Sequence, residues 1–211
     1  QQHAIMNFDL LKLIFIRMNE YLENNPAEDI TFTWHGGEVC LLGADYFKTA
    51  IALQDEFCSK TKHRIKHLVQ SNLTLIDQEI LDQFIRMGIQ QIGSSFEPIP
   101  HIRGFGKERD SDAYNRKFIE GVKLLNRNNI SWGMIYVVHR LSLKSPLDIF
   151  YFLTNLNPKS HPNFNQVKLY KDDRHNLEIT GEEYAEFLGA IFPVWLRNRD
   201  RYPNVQPLDE L

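Results

Sequence analysis

Five short polar stretches interrupt the apolar runs of this chain: His35-Gly36-Gly37-Glu38, Gln70-Ser71-Asn72, Ser95-Phe96-Glu97, His139-Arg140 and Tyr170-Lys171. Each follows a segment with the composition of a buried strand, so each reads as a strand's carboxyl end with its loop. In folds built from parallel strands those ends converge on one crevice, and chemistry collects there. Gly36-Gly37 lets the backbone turn sharply and approach a ligand with no Cβ in the way. Glu38 then sets a carboxylate at the rim, although a tight turn followed by a solvated glutamate would leave the same trace. Neither GxGxxG nor a Walker-type lysine accompanies the glycines, so a familiar phosphate cradle is not supported. Ser95 and Glu97 are two residues apart on an extended segment and point to one face. Glu97 could bind a ribose, accept a proton, or pair with nearby Arg103.

The elements that must position these groups alternate along the whole chain. Asn7 is a good N-cap for a helix over 7–22, with Phe8, Leu11, Phe15, Met18 and Leu22 on one face. A strand over 30–34 follows. A helix after Asp45 carries Tyr46, Phe47, Ala50, Ile51, Gln54 and Phe57 on one stripe, ahead of a strand over 67–72. Asp77 caps the next helix and Gly88 closes it, before a strand over 89–96. Ser111 or Asp112 opens a helix with Phe118, Val122 and Leu125, and a strand over 132–138 comes next. Ser145-Pro146 starts a helix, 166–170 is strand-like, and Thr180 with Glu183 forms a capping box before Tyr184, Phe187, Leu188 and Ile191. Segments 101–112 and 155–165 read as loops.

This makes five strands and six helices in strict alternation. Strands separated by helices are parallel with right-handed crossovers, which leaves an open doubly wound sheet or a full or partial barrel. Because the chain opens on a helix, a strand before Gln1 is expected.

At 211 residues and 43% hydrophobic, the chain is sized for one domain over 1–211 with a substantial core. Its 24 basic and 27 acidic residues are scattered and sum to a net charge of -3, which is no footprint for nucleic acid or an anionic membrane. A small-molecule or peptide partner is expected. No apolar run is long enough to span a bilayer and no secretory signal opens the chain, so the expected location is cytoplasmic. Cys40 and Cys58 are too few for a disulfide framework and too far apart for a CxxC knuckle; they read as half-buried thiols.

Several segments carry a specific likeness. The stretch from Thr33 to Leu42 has the form of a WHGGEPLL segment, and that from Gln70 to Asp77 the form of QTNGTLLD. Gly93-Ser94-Ser95-Phe96-Glu97 parallels GISID, with His101 and Arg103 echoing the loop that follows it. Tyr136-Val137-Val138-His139 parallels TVVN, and Thr180-Gly181-Glu182-Glu183-Tyr184 parallels LTPEEY. In this order, and over nearly all of the chain, they resemble the radical S-adenosylmethionine family. The likeness is to its SPASM-type branch of peptide and protein maturases, similar to anaerobic sulfatase-maturating enzymes.

The resemblance implies an α/β fold, a partial (β/α)6 TIM-like parallel barrel whose first strand lies outside this chain. It implies S-adenosylmethionine and a [4Fe–4S] cluster as cofactors, a peptide or protein substrate, an electron donor, and hydrogen abstraction by a 5′-deoxyadenosyl radical. Gly36, Gly37 and Glu38 would hold the methionine amine. Ser95 and Arg116 would reach its carboxylate or ribose, with Ser71 and Asn72 lining the same pocket, and Glu97 would be the catalytic base. A RiPP-type peptide maturase is the first expectation. Formylglycine formation in sulfatases is the second, and a non-catalytic peptide-binding subunit on a degenerate barrel the third.

Three departures stand at the site: Leu73 for the family's glycine, Val39 for its proline and Glu97 for its aspartate. The CxxxCxxC thiolates that hold the cluster are not in this sequence, and Cys40 with Cys58 could not assemble one. The cluster loop and the SPASM extension are therefore expected outside this chain.

Overall fold

The computed structural model describes residues 5–156, 162–169, 176–202 and 204–210. Among them six helices alternate with five strands: α1 (Phe8–Asn24), β1 (Ile30–Trp34), α2 (Gly43–Phe57), β2 (Ile65–Gln70), α3 (Gln78–Arg86), β3 (Gln91–Ser95), α4 (Ser111–Arg127), β4 (Ser131–Val138), α5 (Pro146–Leu156), β5 (Pro162–Gln166) and α6 (Gly181–Arg197). The strands share one sheet in the order β1-β2-β3-β4-β5. β1 runs parallel to β2 from Ile30 opposite Ile65 to Trp34 opposite Val69, and β4 parallel to β5 from Met134 opposite Pro162 to Val138 opposite Gln166. A doubly wound sheet reverses its strand order at a switch point. Here every strand neighbours its predecessor, so the winding is singly directed, as in a (β/α) barrel.

Local chemistry sets most boundaries. Asn7 accepts the Leu10 N–H at 2.8 Å, Asp77 accepts the Ile80 N–H at 2.8 Å, and Thr180 with Glu183 closes a complete capping box on α6. Gly88, at φ 78°, takes the left-handed conformation that ends α3.

Elsewhere the boundaries differ from expectation. α2 begins at Gly43 behind a 3₁₀ turn at Val39–Leu42, and Asp45 pairs with Lys48 on its first turn. β2 stops at Gln70 because Ser71 and Asn72 are drawn to Glu38. The strand expected over 166–170 lies at Pro162–Gln166, all but its last residue in the stretch read as a loop. Its anchor is one residue, Phe164, whose ring sits 6.0 Å from Tyr136 and 5.7 Å from Phe187. Tyr170 and Lys171 lie outside the described residues. Phe8, placed on the buried stripe of α1, is half-exposed and stacks on Tyr46 at 5.0 Å.

The chain divides into two compact units, residues 1–92 with 121–130 and residues 93–120 with 131–211. In the first, α1 and α2 bury Leu11, Phe15, Phe47 and Ala50 completely. Arg64 closes α1 by donating to the carbonyls of Leu22 and Asn25, acceptors that the helix end leaves open, and to that of Glu28 in the loop that follows. In the second unit Phe96 stacks on Phe118 at 4.1 Å, Phe118 meets Trp132 edge-on, and Phe150 packs against Tyr202.

Leu73, which stands where the resembled segment has glycine, has φ 61° and is fully buried. A left-handed leucine costs about 1–2 kcal/mol, so the packing around it must hold it there. A Cβ on Gly121 of α4 would run into the Leu73 carbonyl oxygen and stand 2.9 Å from the Leu73 Cβ. Gly121→Ala is therefore expected to destabilise the fold by about 3 kcal/mol, despite the better helix propensity of alanine. Gly189→Ala, on an exposed turn of α6 with no atom within 4 Å, should stabilise by roughly 0.5–1 kcal/mol. Urea unfolding of the two variants checks the contrast.

His67 on β2 stacks on Trp34 at 6.2 Å, and its Nδ1 accepts the Trp34 indole N–H at 3.2 Å. Its Nε2 is buried without a partner among the described residues. Burial pushes the imidazole down from 6.5 to about 4. The unfolded chain thus binds a proton near 6.5 that the folded chain refuses until about 4. Stability is full above 6.5 and declines as pH falls towards 4, by on the order of 3 kcal/mol. His67→Gln, which keeps an acceptor for Trp34, should flatten that decline in denaturant titrations at stepped pH.

Candidate active site

In the first unit the ends of β1 and β2 are joined by one carboxylate. Glu38 Oε1 accepts the Cys40 N–H at 3.0 Å and the Ser71 hydroxyl at 2.8 Å, while Oε2 accepts the Asn72 N–H at 2.8 Å. Ser71 is buried, and its oxygen in turn accepts the Leu73 N–H at 3.0 Å. The Asn72 side-chain oxygen accepts from the Thr74 N–H and hydroxyl, closing an Asx turn. Gly36 and Gly37 are exposed, neither has a positive φ, and a Cβ at either would meet no atom within 4 Å. Neither turn strain nor internal packing calls for glycine there; the β1 end simply presents bare backbone.

In the second unit Ser95 and Glu97 have separate partners. Arg103 Nη1 donates to the Ser95 carbonyl at 2.8 Å and to its hydroxyl oxygen at 2.9 Å, with Tyr114 Oη 3.4 Å away. Arg116 lies exposed on α4, so the guanidinium bonded to Ser95 is that of Arg103. Glu97 does not pair with Arg103. It is 4% exposed, accepts the Ile99 N–H at 2.9 Å through Oε1, and meets His139 Nε2 at 2.9 Å through Oε2. Tyr136 Oη lies 3.3 Å from Glu97 Oε1 and 2.9 Å from Ser142 Oγ, so its single proton has two acceptors. Burial first, then the Glu97 charge, raises the Tyr136 phenol far above its ordinary range.

Sequence reasoning named His139 as a polar strand end and, with Tyr136, in the segment likened to TVVN, but gave neither a role and passed over Ser142. The trace was present: Ser142 Oγ accepts the His139 N–H at 3.0 Å and the Ser142 N–H returns to the His139 carbonyl at 2.8 Å, a turn written as HxxS after a strand.

Both cysteines are chemically quiet. Cys40 is buried with its sulfur 3.4 Å from Ser71 Oγ, and burial pushes its thiol up to about 12. Cys58 donates to the Phe15 carbonyl and is pushed up to about 11 for the same reason. Among the described residues no three His, Cys, Asp or Glu side chains gather to hold a metal ion. These residues do not fit an iron–sulfur cluster. In the first unit the open backbone at Gly36-Gly37 and one free lone pair on Glu38 Oε2 fit an ammonium group, and in the second the Ser95 hydroxyl still has a proton to donate to an acceptor such as a carboxylate. No described helix is long and apolar enough to cross a membrane.

Fold and site thus define a singly wound parallel α/β protein with its polar groups on strand ends. The chain is 23% identical over 210 residues to the serine-type anaerobic sulfatase-maturating enzyme of Bacteroides thetaiotaomicron, covering 92% of this chain and 49% of the relative. It is 20% identical over 222 residues to the cysteine-type enzyme of Clostridium novyi, covering 98% and 56%. The solved structure of native anSMEcpe with bound AdoMet and Kp18Cys peptide superposes with a TM-score of 0.81 at 20% identity, over 98% of this chain and 57% of that one. No protein-family profile matches the chain. These two relatives are anaerobic sulfatase-maturating enzymes, and the solved structure shares the parallel α/β fold of this chain. The chain spans about half the length of these relatives.

Proposed function

We propose that this chain is the barrel portion of a radical S-adenosylmethionine maturase that modifies a side chain of a peptide or protein. The observation that carries the reading is the pairing of bare backbone at Gly36-Gly37 with Glu38, at the end of β1 in a barrel shared with such enzymes. S-adenosylmethionine, when bound, would supply the hydrogen-abstracting chemistry. Gly36, Gly37 and Glu38 would receive its amine, and Ser95 would donate to its carboxylate with Arg103 holding that hydroxyl in place. Ser71 and Asn72 support Glu38 from the β2 end, and Arg116 of α4 is proposed for the carboxylate or ribose of S-adenosylmethionine. Glu97 is the proposed base, buried and held by three neighbours, the Ile99 N–H, Tyr136 and His139. No step is assigned to a cluster, because the cysteines of this chain do not fit one.

Sulfatase-type formylglycine formation is supported by the relatives as well as any other peptide maturation is. The intact protein, purified anaerobically, should be assayed for iron and sulfide and incubated with a reductant and S-adenosylmethionine. 5′-Deoxyadenosine formation supports the reading, and its absence from iron-replete protein sinks it. Adding a sulfatase peptide with Cys or Ser at the target position, or peptides encoded by neighbouring small reading frames, separates the two substrates by the mass change.

A further inference from the structure

We propose that His139 is the positioning residue for Glu97, fixing the one place on that carboxylate where a substrate proton can arrive. The inference rests on the reading of Glu97 as a base and extends it. His139 is 3% exposed and clamped through its backbone: its N–H is on Ser142 Oγ, its carbonyl takes the Ser142 N–H, and the Arg140 that follows is tied to Glu183 of α6. Its Nδ1 faces the Leu141 N–H at 3.3 Å and acts as an acceptor. The ring proton therefore sits on Nε2, which donates to Glu97 Oε2 at 2.9 Å.

A carboxylate offers about four acceptor positions. Ile99 N–H occupies one of those on Oε1, the Tyr136 hydroxyl blocks the other while sharing its proton with Ser142, and His139 takes one on Oε2. One lone pair is left, on Oε2, and the imidazole fixes its direction. A proton taken there converts the carboxylate to a neutral acid. His139 keeps its own proton throughout, and no electron changes hands. His139 is not a relay in this scheme, since the Leu141 N–H occupies the nitrogen it would need.

The test has two parts. In the chain without cofactor, long-range ¹H–¹⁵N NMR should show His139 as the Nε2-protonated tautomer, with a shift that moves in Glu97→Gln; an Nδ1-protonated ring overturns the proposal. In the intact protein, the readout is product formed per 5′-deoxyadenosine. His139→Leu should lower that ratio roughly ten- to hundred-fold, as loss of an outer-shell partner does elsewhere. His139→Gln, which can still donate, should recover most of it, and His139→Leu should add nothing in a Glu97→Gln background. Equal ratios for the Leu and Gln variants, or additive losses, overturn the positioning role. If Glu97→Gln alone leaves the ratio unchanged, the base assignment has failed instead. Should His139→Leu not fold, the tautomer and the Gln variant decide the question.

Discussion

Glu97→Gln in the intact protein is expected to retain 5′-deoxyadenosine formation while product falls by roughly a hundred-fold or more, the usual consequence of removing a general base. The substitution keeps the shape of the side chain but replaces one acceptor with a donor. That NH₂ must face either His139 Nε2–H or the Ile99 N–H, and neither can accept from it. A local mismatch of donors follows, so the variant tests both the base role and the pocket that holds it. Quantifying both products in one assay separates the outcomes. Loss of product alone supports the base, equal loss of both assigns Glu97 to the architecture of the pocket, and unaltered product rules out either role.

Glu38→Ala is expected to cost on the order of 3 kcal/mol before any ligand is considered, because hydrogen bonds to a charged acceptor are each worth about 1.5–3 kcal/mol, two of the three that it accepts cannot be replaced, and its part-buried position keeps each near the lower figure. Ser71 can rotate to find another partner, whereas the N–H groups of Cys40 and Asn72 cannot. The expected fall in Tm is roughly 6–12 °C for a chain of this size. Thermal unfolding of the chain without cofactor is the appropriate measurement. A glutamate that served only a ligand would leave that melting temperature unchanged. Such a result would release all of Glu38 for recognition. A large shift would mean that the residue joins β1 to β2 and offers a ligand only its remaining lone pair.

Much of this was legible in the chain. Asn7, Asp77 and the Thr180/Glu183 box act within one helical turn, so their effect is local and readable from spacing. The limits of β1 could be read because Trp34 is followed by His35 and two glycines. The strand at Pro162–Gln166 could not be read, since PNFNQ is short, opens on proline and has one large apolar side chain; pairing with β4 and the rings of Tyr136 and Phe187 around Phe164 make that segment a strand. At the site, Glu38, Ser71, Asn72, Ser95 and Glu97 were identifiable as polar strand ends, whereas their partners were not. Arg103 was one of the alternatives weighed for Glu97 and proved to be the partner of Ser95.

The sequence by itself determined the alternation of elements, the helix caps, the polar strand ends and the likeness to a family of maturases. These depend on interactions a few residues apart, or on the order of segments along the chain. Tertiary structure alone decided that the strand order never reverses, which separates a barrel winding from a doubly wound sheet. It also decided that Glu97 meets His139, 42 residues away, and that Glu38 meets Ser71, 33 residues away. Which donor reaches a buried carboxylate depends on which neighbouring strand ends beside it, and spacing along the chain carries no record of that distance.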